Sequence, residues 1–206
     1  MAALTPTDIA NMALGLITEA PIDTLEEDSR AARMLNLHYE TTREAELRKS
    51  PWVFAIQTAT IEPVQTNDPA WRYSYELPAD ALRALPVMDG SMEAHWRQQA
   101  QSVQTCFGGS RSIRYIANLV DPNDWPSTFT DVLAAALAVK VAHAITGKTS
   151  FVQIAQDAYR NALATARVLN AVERGGRRCS PSWETERAGH GSGSMYSARA
   201  RHGGGW

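Results

Sequence analysis

Pro51 constrains the first half of this chain more than any other residue. Upstream of it, from Asp28 on, Ala31, Ala32, Met34, Leu35, Leu37, Tyr39, Thr42, Ala45 and Leu47 recur mostly at three- and four-residue intervals. Arg30, Arg33, Glu40, Arg43, Glu44 and Glu46 fill the spaces between them. This period predicts one long amphipathic helix over 28–49, apolar on one face and charged on the other. Asp28 or Ser29 can accept its first free N–H groups, and Arg48 and Lys49 sit at the negative end of the helix dipole. Pro51 then ends it, because the residue before a proline is pushed out of helical geometry. Trp52 and Phe54 follow at once in a segment that reads as extended. The pair is expected to pin the helix end to a sheet, as structural anchors with no part in chemistry.

Three further helices are predicted. Thr5-Pro6-Thr7-Asp8 combines a cap, a proline at the first helical position and an acid at capping-box spacing, so a short helix is expected over 6–18. Thr128 and Asp131 repeat that spacing ahead of an apolar helix over 128–146, through Val132, Leu133, Ala136, Leu137, Val141, Ala144 and Ile145. Gly147 breaks it, with Thr149 or Ser150 as the next cap. A second helix over 149–173 places Phe151, Ile154, Ala155, Ala158, Ala162, Ala166 and Leu169 on one face. So short a break predicts an antiparallel hairpin, and so much alanine lets the two backbones approach closely.

Between the helical pairs, over 54–120, the period changes to alternation. Trp71, Tyr73, Tyr75 and Leu77 fall on one side and Arg72, Ser74 and Glu76 on the other, the pattern of a half-buried strand, with Tyr73 and Tyr75 as further anchors. Ala81 to Val87 reads as one helical turn feeding another strand, and Glu93 to Gln99 as a further strand. Val103, Thr105 and Phe107 are expected to face Ile113, Tyr115, Ala117 and Leu119 across a Gly108-Gly109-Ser110 hairpin turn. The fold class is therefore α+β and mainly helical: an N-terminal helix pair and a C-terminal helical hairpin around a small central antiparallel sheet, followed by a flexible C-terminal arm.

Charge divides the chain in two. From Arg174 onward there are six Arg and two Glu, whereas residues 1–173 carry 14 basic and 20 acidic groups. An acidic body thus precedes a basic Gly/Ser-rich arm over 175–206, too poor in apolar residues to offset its own ordering and expected to be disordered in a free subunit. Arg177, Arg178, Arg187, Arg199 and Arg201, with Trp183, Tyr196 and Trp206, make the arm a candidate contact for a partner: arginine for carboxylates, aromatics for pockets. Nucleic acid is a second possible partner of such an arm. Met1 to Ala10 lacks the basic start and apolar run of a signal peptide. The run Val132–Val139 is far shorter than the ~20 residues a membrane span needs. A soluble protein made in the cytoplasm is expected, and Cys106 and Cys179 are expected to be ordinary thiols.

Chemistry-bearing motifs are weak. Gly147-Lys148-Thr149-Ser150 resembles the end of a phosphate loop, but Ala142 stands where that loop needs glycine. His38, His95, His143, His190 and His202 have no partner at metal-ligand spacing. No nucleophile-elbow sequence occurs, and Lys140 inside an apolar helix can snorkel to water. The expectation is no enzyme activity, no cofactor and no metal. A tail-associated glycan or peptidoglycan hydrolase remains an alternative, since a fold can bring two carboxylates together, as does a regulatory nucleic-acid-binding protein acting through the arm.

Several segments, in order, resemble the head-to-tail adaptor, or tail tubular protein A, family of tailed phages. They are Asn11-Met12-Ala13-Leu14-Gly15-Leu16-Ile17-Thr18-Glu19-Ala20-Pro21-Ile22, Ser29-Arg30-Ala31-Ala32-Arg33, Pro51-Trp52-Val53-Phe54, Tyr73-Ser74-Tyr75-Glu76-Leu77-Pro78-Ala79-Asp80 and Ile113-Arg114-Tyr115-Ile116. A closing helical pair follows. The resemblance spans about residues 8 to 173 and leaves the basic arm outside it. It implies a structural virion protein, assembled in the host cytoplasm and placed at the head–tail junction. It implies a dodecameric ring beneath the portal protein, joined to a tail nozzle or tube protein, whose bore passes genomic DNA without reading its sequence; no membrane is involved. The chain alone is then expected to be a monomer or small oligomer.

Overall fold

The computed structural model of the chain describes residues 3–66, 68, 70–89, 92, 93 and 95–175. The chain divides into two units, Met1–Arg174 and Gly175–Trp206, and beyond Gly175 the second lies outside the described residues. Helix α1 spans Pro6–Leu16 and carries the full capping box: the Asp8 N–H donates to Thr5 Oγ1 at 3.2 Å and the Thr5 N–H to Asp8 Oδ2 at 2.9 Å. The Thr5 hydroxyl also donates to Asp8 Oδ2 at 2.6 Å, and this bond, with that from the Thr5 N–H, holds the Asp8 carboxyl below its usual pKa. The helix stops short of Thr18, which turns left-handed at φ 56°. The Asn11 side chain then clamps the connector, donating to the Ile22 carbonyl at 3.0 Å and accepting from the Ile22 N–H at 2.8 Å.

Helix α2, Arg30–Lys49, is capped by Ser29, whose hydroxyl accepts from the Ala32 N–H at 3.1 Å. Pro51 ends it as expected, with Ser50 extended at φ −136°. The segment after it does not run extended into a sheet. Val53–Ala55 makes one 3-10 turn, and Trp52 turns back into the helical core against Phe129, ring centroids 5.5 Å apart. The indole N–H finds a carbonyl freed at the end of α2, donating to that of Glu46 at 2.9 Å.

Among the described residues the middle third contains nine short strands: β1 Ile56–Ile61, β2 Val64–Gln65, β3 Tyr73–Glu76, β4 Ala81–Ala84, β5 Met88–Asp89, β6 Met92–Glu93, β7 Trp96–Gln99, β8 Ser102–Thr105 and β9 Arg111–Ala117. They form antiparallel sheets in the orders β1-β9-β4 and β2-β3-β8-β7, and β5 pairs with β6. Three expectations are corrected here. Ala81–Ala84 is a strand, not a helical turn. The strand expected over 93–99 starts at Trp96, with Glu93 in β6. Most consequentially, β8 and β9 are not a hairpin: β8 lies between β3 and β7, with Val103 opposite Tyr75 and Gln98, while β9 pairs with β1, Ile116 opposite Ile56. The glycine turn carries the chain from one sheet to the other. It passes over the Tyr73 ring so closely that a Cβ on Gly108 would lie 2.7 Å from it. Tyr75, Leu77, Ala81, Ala84, Val87, Val103, Ile113, Tyr115 and Ala117 form the small core of this region.

Helix α3, Ser127–Thr146, packs against α1, α2 and helix α4, Thr149–Glu173. Neither takes the hydroxyl cap expected for it: Pro126 precedes α3 and Lys148 precedes α4 without side-chain cap bonds. Gly147 does close α3, at φ 69°, its N–H donating to the His143 carbonyl at 3.0 Å. By length and composition α3 is apolar enough to cross a membrane, although the apolar run read from sequence was shorter. Its residues from Val132 to Ala138 are all buried by the surrounding elements.

Candidate assembly surface

The exit of α2 is the node of the described unit. Trp52 is buried, with Phe54 half-buried beside it, and both rings pack on Phe129, which also meets Trp125 at 5.5 Å. The Asn170 side chain of α4 holds the same exit, accepting from the Val53 N–H at 2.7 Å and donating to the Pro51 carbonyl at 3.2 Å. Glu46 is only 4% exposed, and its carboxylate accepts from Lys49 Nζ at 2.7 Å and from the Tyr159 hydroxyl at 3.0 Å. Lys49 Nζ also lies 2.6 Å from the Tyr159 oxygen. Burial works against the Lys49 ammonium, but the hydrogen bonds and charge from Glu46 and Tyr159 outweigh it, so its pKa is raised. Burial raises the Tyr159 phenol too, helped by the Glu46 charge.

Near the middle of α2 the buried Arg43 guanidinium donates from Nη2 to Glu40 at 2.7 Å and to the Asn118 side chain at 3.1 Å, tying the helix to the end of β9. Burial pushes the neighbouring Tyr39 hydroxyl up to about 12. Assignment to a charged outer face missed Arg43 and Glu46. Arg43 lies four residues from both Tyr39 and Leu47, and Glu46 lies four after Thr42, so position on the helix was the available signal; Leu37, counted as apolar-face, is instead 67% exposed.

Tyr73 and Tyr75, expected as anchors, both lie in β3. Tyr75 is buried, its hydroxyl donating to the carbonyls of Phe107 at 3.2 Å and Gly109 at 3.0 Å, and Tyr73 is half-buried beneath the glycine turn. Arg177, Arg178, Trp183, Arg187, Tyr196, Arg199, Arg201 and Trp206 lie outside the described residues. Among the described residues no group of three or more His, Cys, Asp or Glu is arranged to hold a metal ion.

The outer face of α4 departs furthest from expectation. Ile154 and Leu169, assigned to the core-facing stripe, are 52% and 42% exposed, and Val168 and Val172 are more exposed still, at 63% and 72%. The helix buries Ala155 and Ala166 and half-buries Tyr159, Ala162 and Leu163 against its neighbours. Beside this uncovered face, Met12 and Leu16 of α1, Ala134 and Ala135 of α3 and Ala158 and Ala162 of α4 line a shallow groove of about 290 Å³, with Asp131 among its lining residues. No family model matches the chain, and comparison with curated proteins finds no match.

Proposed function

We propose that the chain is a structural subunit of a phage head-to-tail adaptor, forming a ring that joins the portal to the tail nozzle or tube and lets DNA through. The observation that carries this reading is the placement of uncovered apolar residues on two separate elements. Leu37 stands out from α2, while Ile154, Val168, Leu169 and Val172 stand out from α4. A ring needs a heterologous contact, in which one patch of a subunit meets a different patch of the next. Buried polar groups of the α2 exit are engaged in holding helices together, as Glu46 does with Lys49 and Tyr159, which favours a rigid building block over a reactive cleft. The chain segments that resemble the adaptor family coincide with these fixtures: Asn11 clamps Ile22, Ser29 caps α2, and Trp52 anchors its exit.

The test is to mix the purified full chain with purified portal rings and measure the mass and symmetry of the product by sedimentation and electron microscopy. A closed ring with many copies per portal, twelve by the family resemblance, is the expected result. One or two copies per portal, or no complex, contradicts the reading.

A further inference from the structure

We infer that the uncovered face of α4 pairs with the same face of a second copy, giving an antiparallel two-fold dimer in solution. Ile154, Ala158, Asn161, Thr165, Val168 and Val172 follow one another at alternating spacings of four and three, the seam of a two-stranded coiled coil. All six are exposed except Ala158, which is half-buried at the edge of the α1–α3–α4 groove. The stripe runs for about 27 Å at the helical rise.

The occupant follows from the order of residues along the stripe, which complements its own reverse. Two copies laid antiparallel with their centres at Leu163 bring Ile154 against Val172 of the second copy, Ala158 against its Val168 and Asn161 against its Thr165. The other three layers are the same pairs repeated by symmetry. Large apolar residues thus close both ends, a small residue meets a larger one next, and the only two polar types meet each other in the middle. There the Asn161 amide can donate to the Thr165 hydroxyl, so neither is left unpaired in the seam. A polar pair at one level also sets the register, since sliding by one heptad would place Asn161 against Val172 in one direction and Ala158 in the other. Along one flank stand Asp157, Ala164 and Ala171, which bring no like charges face to face in this register and leave room for close approach.

Helix α4 is already held against α3 and the α2 exit in each subunit, so the pairing does not have to supply the cost of forming the helix. A two-fold contact uses the same patch on both partners and closes at two copies. The dimer stands on the stripe alone, whether or not the chain is an adaptor; for an adaptor, this contact would have to open before α4 served a ring contact.

Sedimentation of the full chain at tens of micromolar should show a species of twice the 22.6 kDa chain mass. Val168→Asp with Val172→Asp should weaken that species roughly a hundredfold or more and leave the melting temperature of the monomer unchanged, because both side chains are exposed in the single subunit. In a background with Cys106→Ser and Cys179→Ser, Ile154→Cys with Val172→Cys should give a covalent dimer on oxidation, and Ile154→Cys alone should not. A wild-type monomer, an open series of larger oligomers, a dimer untouched by the two aspartates, or efficient cross-linking through position 154 alone would each overturn the inference. None of these outcomes decides whether a portal ring recruits the chain, which the mixing experiment reads separately.

Discussion

Helices α3 and α4 are joined by Gly147 and Lys148 and packed against each other, yet they solve opposite problems. α3 is apolar nearly all round and is enclosed by α1, α2 and α4, with every residue from Val132 to Ala138 buried. α4 fully buries only Ala155 and Ala166, and much of the rest of its apolar surface faces outward. A helix that is hydrophobic on all sides has to be wrapped, whereas a helix with one narrow alanine face can dock closely and still leave another face for a partner. The two share a hairpin but not an environment. α3 stabilises the unit, and α4 leaves an apolar face uncovered.

The largest effect should come from the wrapped side. Leu133→Ala in α3 and Trp52→Ala beside it each remove a buried side chain and should cost about 3–5 kcal/mol in urea unfolding. An unchanged unfolding midpoint in either would remove the anchor assignment. Next comes the tie from the α2 exit to α4: Tyr159→Phe takes a donor from the buried Glu46 carboxylate and should cost about 1–2 kcal/mol. Alkaline titration reads the same tie. The folded-state pKa values of Lys49 and Tyr159 both lie above their ordinary values of 10.5 and 10.0. Their contribution is therefore complete below those ordinary values and is lost as pH rises through the raised ones. Wild-type stability should fall more steeply than that of Tyr159→Phe above about pH 10. Equal slopes would separate the network from stability.

At the turn between the helices, Gly147→Ala should cost about 1 kcal/mol, through backbone conformation alone. A Cβ there would meet nothing within 4 Å, but φ is 69°. The smallest effect belongs to the open side. Val172→Ala should change unfolding of the dissociated subunit by less than about 0.5 kcal/mol, since its side chain is 72% exposed. A larger loss at low protein concentration would mean that α4 is covered within its own subunit, and the contrast between the helices would fail.

Much of this arrangement is legible along the chain, for identifiable reasons. Thr5 and Asp8 cap α1 through bonds that span three residues, Pro51 stops α2 through its immediate neighbour, and Gly147 ends α3 through its own φ. Arg43 and Glu46 are charged residues whose helical position nonetheless belongs to the inner side, where they meet Asn118 and Tyr159, far away in sequence. Ile154 and Leu169 were placed inward for the same reason, as apolar residues on a helix that has more apolar surface than its neighbours cover.

By itself the sequence determined the number and approximate limits of the helices, the stop after α2 and the break between α3 and α4, because caps, prolines, glycines and hydrophobic period act over one or two turns. Tertiary structure alone decided which strands pair, which way Trp52 turns and which face of α4 stays open. β8 and β9 have the glycine turn of a hairpin, but each has better partners elsewhere, β3 and β7 for one and β1 and β4 for the other. Pairing and burial depend on what else in the chain competes for the same edge or face, and no local spacing records that competition.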